Sequence, residues 1–355
     1  DEHYETIKAW VDYIKDNMCE GPIVTVGWLG DHMVPGKAPG YEKWRSDETP
    51  QSLSWTALYY RNIRLVSEIA RVIGKKSDES KYLQLAHRVK KAFNEKWLDK
   101  TTGHYASRSQ TAEMLPLSLG LVPEEYQEKL ITNIAQNITQ NDKGHLRVGH
   151  AGITALVESL TANKMGDEMY NIVNTTDYPG WGYMVDQGAT TIWECWGRDF
   201  AVEGGRRRSD NMTMLAGVNE FFYRYVAGIQ GPNFYGEDNM KPGYQEFEIK
   251  PYPLGDLTSA KASVPTIRGE ISSSWERKES TFSLNVEIPV NSMAFVSIPK
   301  LGNDDVSISE NGKVVWADHK FKKGQEGIVK AIEDNDYISI KVGSGKYSFQ
   351  LIQGN

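Results

Sequence analysis

The sequence lacks several features that would indicate a function class directly. Its 355 residues include two cysteines, Cys19 and Cys195, which have no metal-ligand spacing and are too few for a disulfide framework. No apolar run approaches the roughly 18 residues of a membrane-spanning helix, so we expect no membrane span. The chain shows no signal peptide and no initiator methionine, and we interpret its start as processed or cut.

An excess of positive charge is also missing. The formal net charge is −7 and the pI is about 5.6, which makes the chain a poor candidate for binding nucleic acid. We therefore expect no nucleic-acid partner. One basic run, Arg206–Arg208, lies in a glycine-rich stretch. Short charge runs usually face solvent, although three arginines suit an acidic sugar as well.

The common motifs for nucleophiles, phosphates and metals are missing too. There is no P-loop, no G-x-G-x-x-G after a strand, no G-x-S-x-G and no H-E-x-x-H. The seven histidines show no metal spacing, so we expect neither a metal nor a cofactor. The chemistry is then left to carboxylates, as in hydrolases that work by acid and base. Glycoside hydrolysis needs two such groups.

Residues 1–228 read as one helix after another. We predict about eight helices, because apolar residues recur there every three or four positions. Thr49 is predicted to cap a helix that Pro50 opens, and Gly74 to end it. The long loops between the helices are rich in glycine, tryptophan and histidine, the composition of binding loops on a helical scaffold. This arrangement suggests an α/α toroid.

The pattern changes after a stretch rich in glycine, proline and asparagine, which we assign as a linker over 229–244. Period-two alternation follows, with Phe282, Leu284, Val286 and Ile288 on one face of a strand. Asn311-Gly312 indicates a hairpin between two further strands. We therefore predict an antiparallel β-sandwich over 245–355.

The stretch GATTIWECWGRD, residues 188–199, places one acidic residue, Glu194, between two tryptophans. The chain has ten tryptophans, which suit either a packed core or platforms for sugar rings. From these residues alone two interpretations stay open. Glu194 is either a structural partner of an arginine such as Arg198 or a catalytic carboxylate.

A resemblance distinguishes between them. SQTAEMLPLSLGLVPEE, GHLRVGHAGITALVESL, YPGWGYMVDQGATTIWECW and FFYRYVAGI follow one another as in bacterial α-L-rhamnosidases of glycoside hydrolase family 78. GYQEFEIKPYP and SGKYSFQLI continue the similarity, which covers nearly the whole chain. TTIWE and YPGWGYM are its most specific segments. The resemblance implies an (α/α)6 barrel followed by a C-terminal β-sandwich, in a bacterial glycosidase that acts on a rhamnoside.

The resemblance also implies roles for individual residues. Glu194 takes the position of the general base, which activates water for inverting hydrolysis. Asp31 matches the Asp of a loop that lines the sugar pocket in the family, so we expect it to hold sugar hydroxyls; a turn Asp is the alternative. His145 and His150 flank a helix start, and their position alone makes each either a hydrogen-bonded structural histidine or a candidate sugar ligand. The remaining candidate substrate contacts are Trp28, Trp181, Trp193, Asn211 and Met212.

Two departures from the family pattern matter. Met212 stands where the family has a histidine that contacts substrate, and His32 replaces the usual tryptophan after Asp31. The general acid of the family lies in an Asp-x-x-x-Arg-x-Glu segment, and this sequence has none. Eight helices also fall short of the twelve in six hairpins. We therefore expect an upstream part that carries the acid, and an incomplete enzyme without it.

These departures keep two other functions in view. One is a non-catalytic carbohydrate-binding paralogue with the same fold. The other is a different (α/α)6 enzyme that acts on glycans containing uronic acids. A lyase would use a Tyr or His base, which the carboxylate of TTIWE argues against. The compartment stays open, with a periplasmic or secreted location favoured over a cytoplasmic one.

Overall fold

A computed structural model describes residues 2–36, 48–197, 209–231 and 242–353. The chain forms two compact units, Asp1–Val218 and Asn219–Asn355. The predicted limits of 1–228 for the barrel, 229–244 for the linker and 245–355 for the sandwich stay predictions. Within the described ranges, no helix has the length and apolarity needed to cross a membrane.

The first unit is built from helices with one short hairpin of strands. The helices are α1 (Tyr4–Asn17), α2 (Gln51–Val72), α3 (Lys76–Trp97), α4 (Gln110–Ser118), α5 (Glu124–Gln136), α6 (Ile153–Ala162), α7 (Gly166–Asn174) and α8 (Trp181–Asp186). The strands are β1 (Cys19–Glu20) and β2 (Ile23–Val24). A π-turn, Asn137–Asn141, extends α5, and the helical segments Thr213–Gly217, Val218–Glu220 and Phe221–Val226 follow α8 across the unit boundary.

Local chemistry explains the start of α4 and the end of α2, but one predicted cap is wrong. Ser109 caps α4 by accepting a hydrogen bond from the Ala112 amide, and Gly74 follows α2 at a φ of +79°. Thr49 does not cap α2, because Pro50 is the capping residue and the Thr49 hydroxyl bonds to Ser109 instead. The Thr49 side chain thus links the loop before α2 to the loop before α4.

Helices α4 and α6 form the inside of the first unit. Every residue of α4 from Gln110 to Pro116 is buried, and α6 is buried over nearly its whole length. The two helices pack on each other, and the hydroxyl of Ser159 in α6 donates to the Met114 carbonyl of α4 at 3.0 Å. The loops before their first turns therefore meet at one end of the unit.

The second unit is made of strands in two sheets. Its strands are β3 (Ile229–Gln230), β4 (Glu246–Ile249), β5 (Ser259–Thr266), β6 (Gly269–Lys278), β7 (Thr281–Ile288), β8 (Met293–Pro299), β9 (Val306–Glu310), β10 (Lys313–Ala317), β11 (Lys320–Phe321), β12 (Ile328–Glu333), β13 (Tyr337–Val342) and β14 (Gly345–Gln353). Seven strands have the order β11-β10-β9-β14-β7-β6-β5, and five have the order β12-β13-β8-β4-β3.

The predicted alternation is confirmed in β7, where Phe282, Leu284, Val286 and Ile288 are all buried. The predicted hairpin at Asn311-Gly312 joins β9 to β10, with both residues at positive φ as a two-residue turn requires. One feature differs from the antiparallel prediction, since β4 pairs with β8 in parallel.

Candidate active site

Glu194 lies in a segment that pairs with residues just after the undescribed stretch 198–208. The Glu194 amide donates to the Ser209 carbonyl at 3.0 Å, and the Met212 amide donates to the Ile192 carbonyl at 2.8 Å. The Ser209 amide in turn donates to Glu194 Oε2 at 2.9 Å. Glu194 is half-buried.

The tryptophans around Glu194 are part of the packing. Trp193 and Trp196 are buried, and the Trp196 indole donates to the Val148 carbonyl at 3.1 Å. Trp181 is also buried; it packs edge-to-face on Trp196 at 5.3 Å and donates to the Leu215 carbonyl. These indoles leave little surface for a sugar ring. Trp28 differs, since it is 70% exposed.

His150 ties the Glu194 segment to the turn before α6. Its Nε2 lies 2.8 Å from the Glu194 carbonyl oxygen. Because a carbonyl accepts, Nε2 must carry the hydrogen. The His150 ring packs edge-to-face on His32 at 4.3 Å, and the His150 amide donates to the His32 carbonyl at 2.9 Å. Sequence reasoning left His150 as either a hydrogen-bonded structural histidine or a ligand, because nothing local to it indicates this partner.

Asp31 is buried at this end of the unit, with 1% of its surface exposed. Its Oδ2 accepts from the Thr111 hydroxyl at 2.5 Å and the Gly149 amide at 3.2 Å, and its Oδ1 accepts from the amides of Ala151 and Gly152. Burial raises the pKa of Asp31 to about 6, although the four donors favour the carboxylate and lower it. The carboxylate thus holds protein groups on both oxygens, and its predicted contact with sugar hydroxyls stays a prediction.

The other predicted site residues differ in their exposure and in their hydrogen bonds. Asn211 is exposed, and its backbone amide and carbonyl both bond to the Ser209 hydroxyl. Met212 is half-buried beside the paired segment. His145 is half-buried, its carbonyl accepts from Gln110, and its Nδ1 has no hydrogen-bond partner among the described residues. Arg198 and Arg206–Arg208 lie outside the described residues.

A second buried carboxylate was missed by the sequence reasoning. Glu113, in the first turn of α4, is fully buried and bonds through Oε1 to His104 Nδ1. Its Oε2 has no hydrogen-bond partner within the described part of the chain. Burial raises the pKa of Glu113, while His104 lowers it. The described residues contain no group of three or more His, Cys, Asp or Glu side chains that could hold a metal ion.

A separate surface depression lies in the second unit. Its volume is about 850 Å³, and its lining includes Arg277, Thr258 and Gln353. The Arg277 guanidinium donates hydrogen bonds to the carbonyls of Pro253 and Gly255. This depression therefore offers less chemistry than the loops around Glu194.

Two protein-family models match this chain. Residues 1–226 match the bacterial alpha-L-rhamnosidase six-hairpin glycosidase domain, and residues 236–313 match the bacterial alpha-L-rhamnosidase C-terminal domain. An alpha-L-rhamnosidase of Formosa agariphila is 29% identical over 99% of this chain, which covers 36% of that protein. One from Streptomyces avermitilis is 32% identical over 88% of this chain, which covers 28% of it.

Solved structures agree with the sequence matches. An alpha-L-rhamnosidase from Dictyoglumus thermophilum superposes with a TM-score of 0.86 at 32% identity, over 99% of this chain and 37% of that one. A Streptomyces avermitilis alpha-L-rhamnosidase complexed with L-rhamnose has a TM-score of 0.81 at 26% identity, over 98% and 30%. The chain thus spans about a third of the length of these relatives. The predicted fold, a helical six-hairpin domain followed by a C-terminal β domain, is confirmed.

Proposed function

The chain belongs to the bacterial α-L-rhamnosidase family, and on that premise we propose that it takes part in hydrolysing terminal α-L-rhamnosides, with Glu194 as the base that activates water. Two relatives that it resembles are named alpha-L-rhamnosidases, and one solved neighbour is complexed with L-rhamnose. Rhamnose-bearing glycosides or polysaccharides are therefore the proposed substrates. The reaction is proposed to invert the anomeric centre.

The observation that carries this proposal is the position of the Glu194 carboxylate. A general base needs an ionised carboxylate that is accessible to water and held in one orientation. Glu194 is half-buried, and its Oε2 accepts a hydrogen bond from the Ser209 amide at 2.9 Å, which holds the carboxylate in one orientation. The Glu194 carboxylate is proposed to take the proton from the attacking water.

The predicted sugar contacts fall into two groups, exposed or half-buried residues and buried ones. Trp28 and Asn211 are exposed and Met212 is half-buried, so we propose these three as contacts of the sugar or its aglycone. His145, with its unpartnered Nδ1, is a fourth candidate among the described residues. Trp181 and Trp193 are buried, and they support the loops from behind.

Inversion also needs a general acid, about 6.5–9.5 Å from the base, so that a water molecule fits between the base and the sugar. We propose that the acid comes from the segment type predicted above, Asp-x-x-x-Arg-x-Glu, which this sequence does not contain. The activity is therefore to be measured on the full-length protein.

The test is to replace Glu194 by Gln in the full-length protein and follow release from an aryl α-L-rhamnoside. Removing a general base lowers kcat by about 10²–10⁴-fold. Azide needs no deprotonation, so it is expected to restore part of the turnover of an activated aryl glycoside. Glu125→Gln, at an exposed position of α5, is the matched control and should keep full activity. Equal hydrolysis by wild type and Glu194→Gln would show that the base is another residue.

One observation favours a second candidate function, a carbohydrate-binding paralogue without activity. Met212 cannot supply the hydrogen bond of the histidine that the family pattern has at this position. Under this alternative, wild type binds L-rhamnose in calorimetry but releases nothing from the aryl rhamnoside, and Glu194→Gln changes neither result.

A further inference from the structure

The Asp31 carboxylate joins three parts of the chain that are far apart in sequence. Its own loop lies before α2, Thr111 lies in the first turn of α4, and the turn 149–152 leads into α6. All four hydrogen bonds accepted by Asp31 come from these two other segments. We call Asp31, Thr111 and the turn 149–152 the Asp31 clamp.

The clamp is packed too closely to admit side chains at two of its glycines. A Cβ at Gly149 would lie 2.1 Å from the His32 carbonyl oxygen and 2.8 Å from Asp31 Oδ1. A Cβ at Gly152 would lie 2.3 Å from the Thr111 hydroxyl. The two glycines therefore let the amides approach the carboxylate, and 1% of the Asp31 surface is exposed.

The clamp continues directly to Glu194. His150 lies between the clamped residues Gly149 and Ala151, and its Nε2 donates to the Glu194 carbonyl at 2.8 Å. A second link comes from Trp196, whose indole donates to the Val148 carbonyl at 3.1 Å. The segment that carries Glu194 is thus attached at two points to the turn that Asp31 holds.

We propose that Asp31 is a positioning residue: it holds the turn 149–152, and through His150 that turn sets the place of Glu194. This inference rests on the proposed function, since it assumes that Glu194 is the base. It gives Asp31 a role different from the one that family resemblance implies, because the carboxylate acts on protein groups and not on sugar hydroxyls. It also assigns His150 as the connecting residue.

The first test replaces Asp31 by Asn in the full-length protein. An amide has one acceptor oxygen, so in either orientation its NH2 group faces two of the four donors and the clamp loosens. We expect kcat on an aryl α-L-rhamnoside to fall by about 10- to 100-fold, as for a small displacement of a catalytic group. Affinity for L-rhamnose, measured by calorimetry, should stay unchanged. Asp167→Asn, at an exposed position of α7, is the control for the charge change.

The second test reports on the clamp without using activity. Amide hydrogen exchange is measured by mass spectrometry on peptides covering 146–152 and 192–197. Asp31→Asn should speed exchange in both, whereas Asp167→Asn should change neither. His150→Phe keeps a ring against His32 but removes the donor to Glu194, so it should speed exchange over 192–197 only and lower kcat similarly. If Asp31→Asn does not fold, His150→Phe carries the test.

The outcomes separate the two proposals. If wild type does not hydrolyse the rhamnoside, the proposed function fails, while exchange over 192–197 still tells whether Asp31 holds that segment. If Asp31→Asn weakens L-rhamnose binding and leaves exchange over 192–197 unchanged, Asp31 contacts sugar and the positioning role is wrong. Full kcat in His150→Phe would also overturn it.

Discussion

At the scale of single residues, two buried carboxylates in the first unit are held very differently. Asp31 accepts four hydrogen bonds, two on each oxygen. Glu113 bonds to His104 through one oxygen, and its other oxygen has no partner within the described ranges. Burial raises the pKa of both. A buried acid that is fully bonded fixes structure, whereas a partly bonded one is a cost to stability.

The raised pKa of Asp31 predicts a pH dependence of stability. In the folded chain the pKa is about 6, against 3.8 for the unperturbed group. Between these pH values the folded state binds more protons than the unfolded state. Protonated Asp31 therefore raises the free energy of unfolding at low pH, and this contribution is lost as the pH rises through about 6. The change amounts to roughly 3 kcal/mol, from about 1.4 kcal/mol for each pKa unit.

Urea denaturation of wild type and Asp31→Asn between pH 4 and 8 measures this. The stability difference between the two proteins should shrink as the pH rises from 4 to 6 and then stay constant. A difference that is constant from pH 4 to 8 would mean that Asp31 titrates at its ordinary pKa.

At the scale of elements, the turn 149–152 is the connection on which the site depends. We predict that Gly149→Ala destabilises the chain by about 1–3 kcal/mol, because a Cβ would overlap the His32 carbonyl oxygen at 2.1 Å. The variant should also lower kcat, since the turn carries His150. Thermal unfolding and the aryl rhamnoside assay measure the two effects.

Gly343→Ala is the matched control for this change. Its Cβ would meet a single neighbour, the Gly327 carbonyl oxygen, at 3.9 Å, an ordinary contact. A Gly149→Ala protein as stable as Gly343→Ala would show that the turn adapts and that the clamp is not closely packed.

Sequence patterns predicted elements better than their connections. Periodicity predicted α1 to α7, the helical segments that follow residue 211 and the buried face of β7, because each depends on residues close in the chain. It missed α8 (Trp181–Asp186), because residues 177–199 have the composition of a loop. The cap at Thr49 was wrong because its hydroxyl bonds to Ser109, sixty positions away. The bonds from Gly149, Ala151 and Gly152 to Asp31 span 118 to 121 positions, and no local pattern reports such a contact.

In the candidate site, too, residues within a local motif were predicted, and residues that depend on distant contacts were not. Glu194 was found because a specific motif surrounds it, and its role stays a prediction. Trp181 and Trp193 were chosen as sugar platforms because indoles suit both sugars and cores, and the structure buries both. Glu113 was missed, and His150 was left between a structural histidine and a ligand, since the contacts of both depend on partners that only the fold brings near.

At the scale of the whole molecule, the proposed pair of carboxyl groups predicts the stereochemistry of the reaction. In the proposed mechanism, water activated by Glu194 would attack the face opposite the departing group, so the first product should be β-L-rhamnose. Proton NMR of the anomeric signals during early turnover by the full-length protein measures this. α-L-Rhamnose as first product would indicate retention, which needs a carboxylate nucleophile about 5–5.5 Å from the acid and no separate base for water.

The exposure of Trp28 has a consequence for how such a site can diversify. Val26 and Trp28 are 59% and 70% exposed, yet Asp31, a few residues on, is buried and accepts hydrogen bonds on both carboxylate oxygens. Side chains at the loop tip can be exchanged for others without repacking the interior, because they contribute little to it. Random mutagenesis limited to the tip should therefore give many folded proteins that differ in the leaving group they accept, whereas the same mutagenesis at 149–152 should give few.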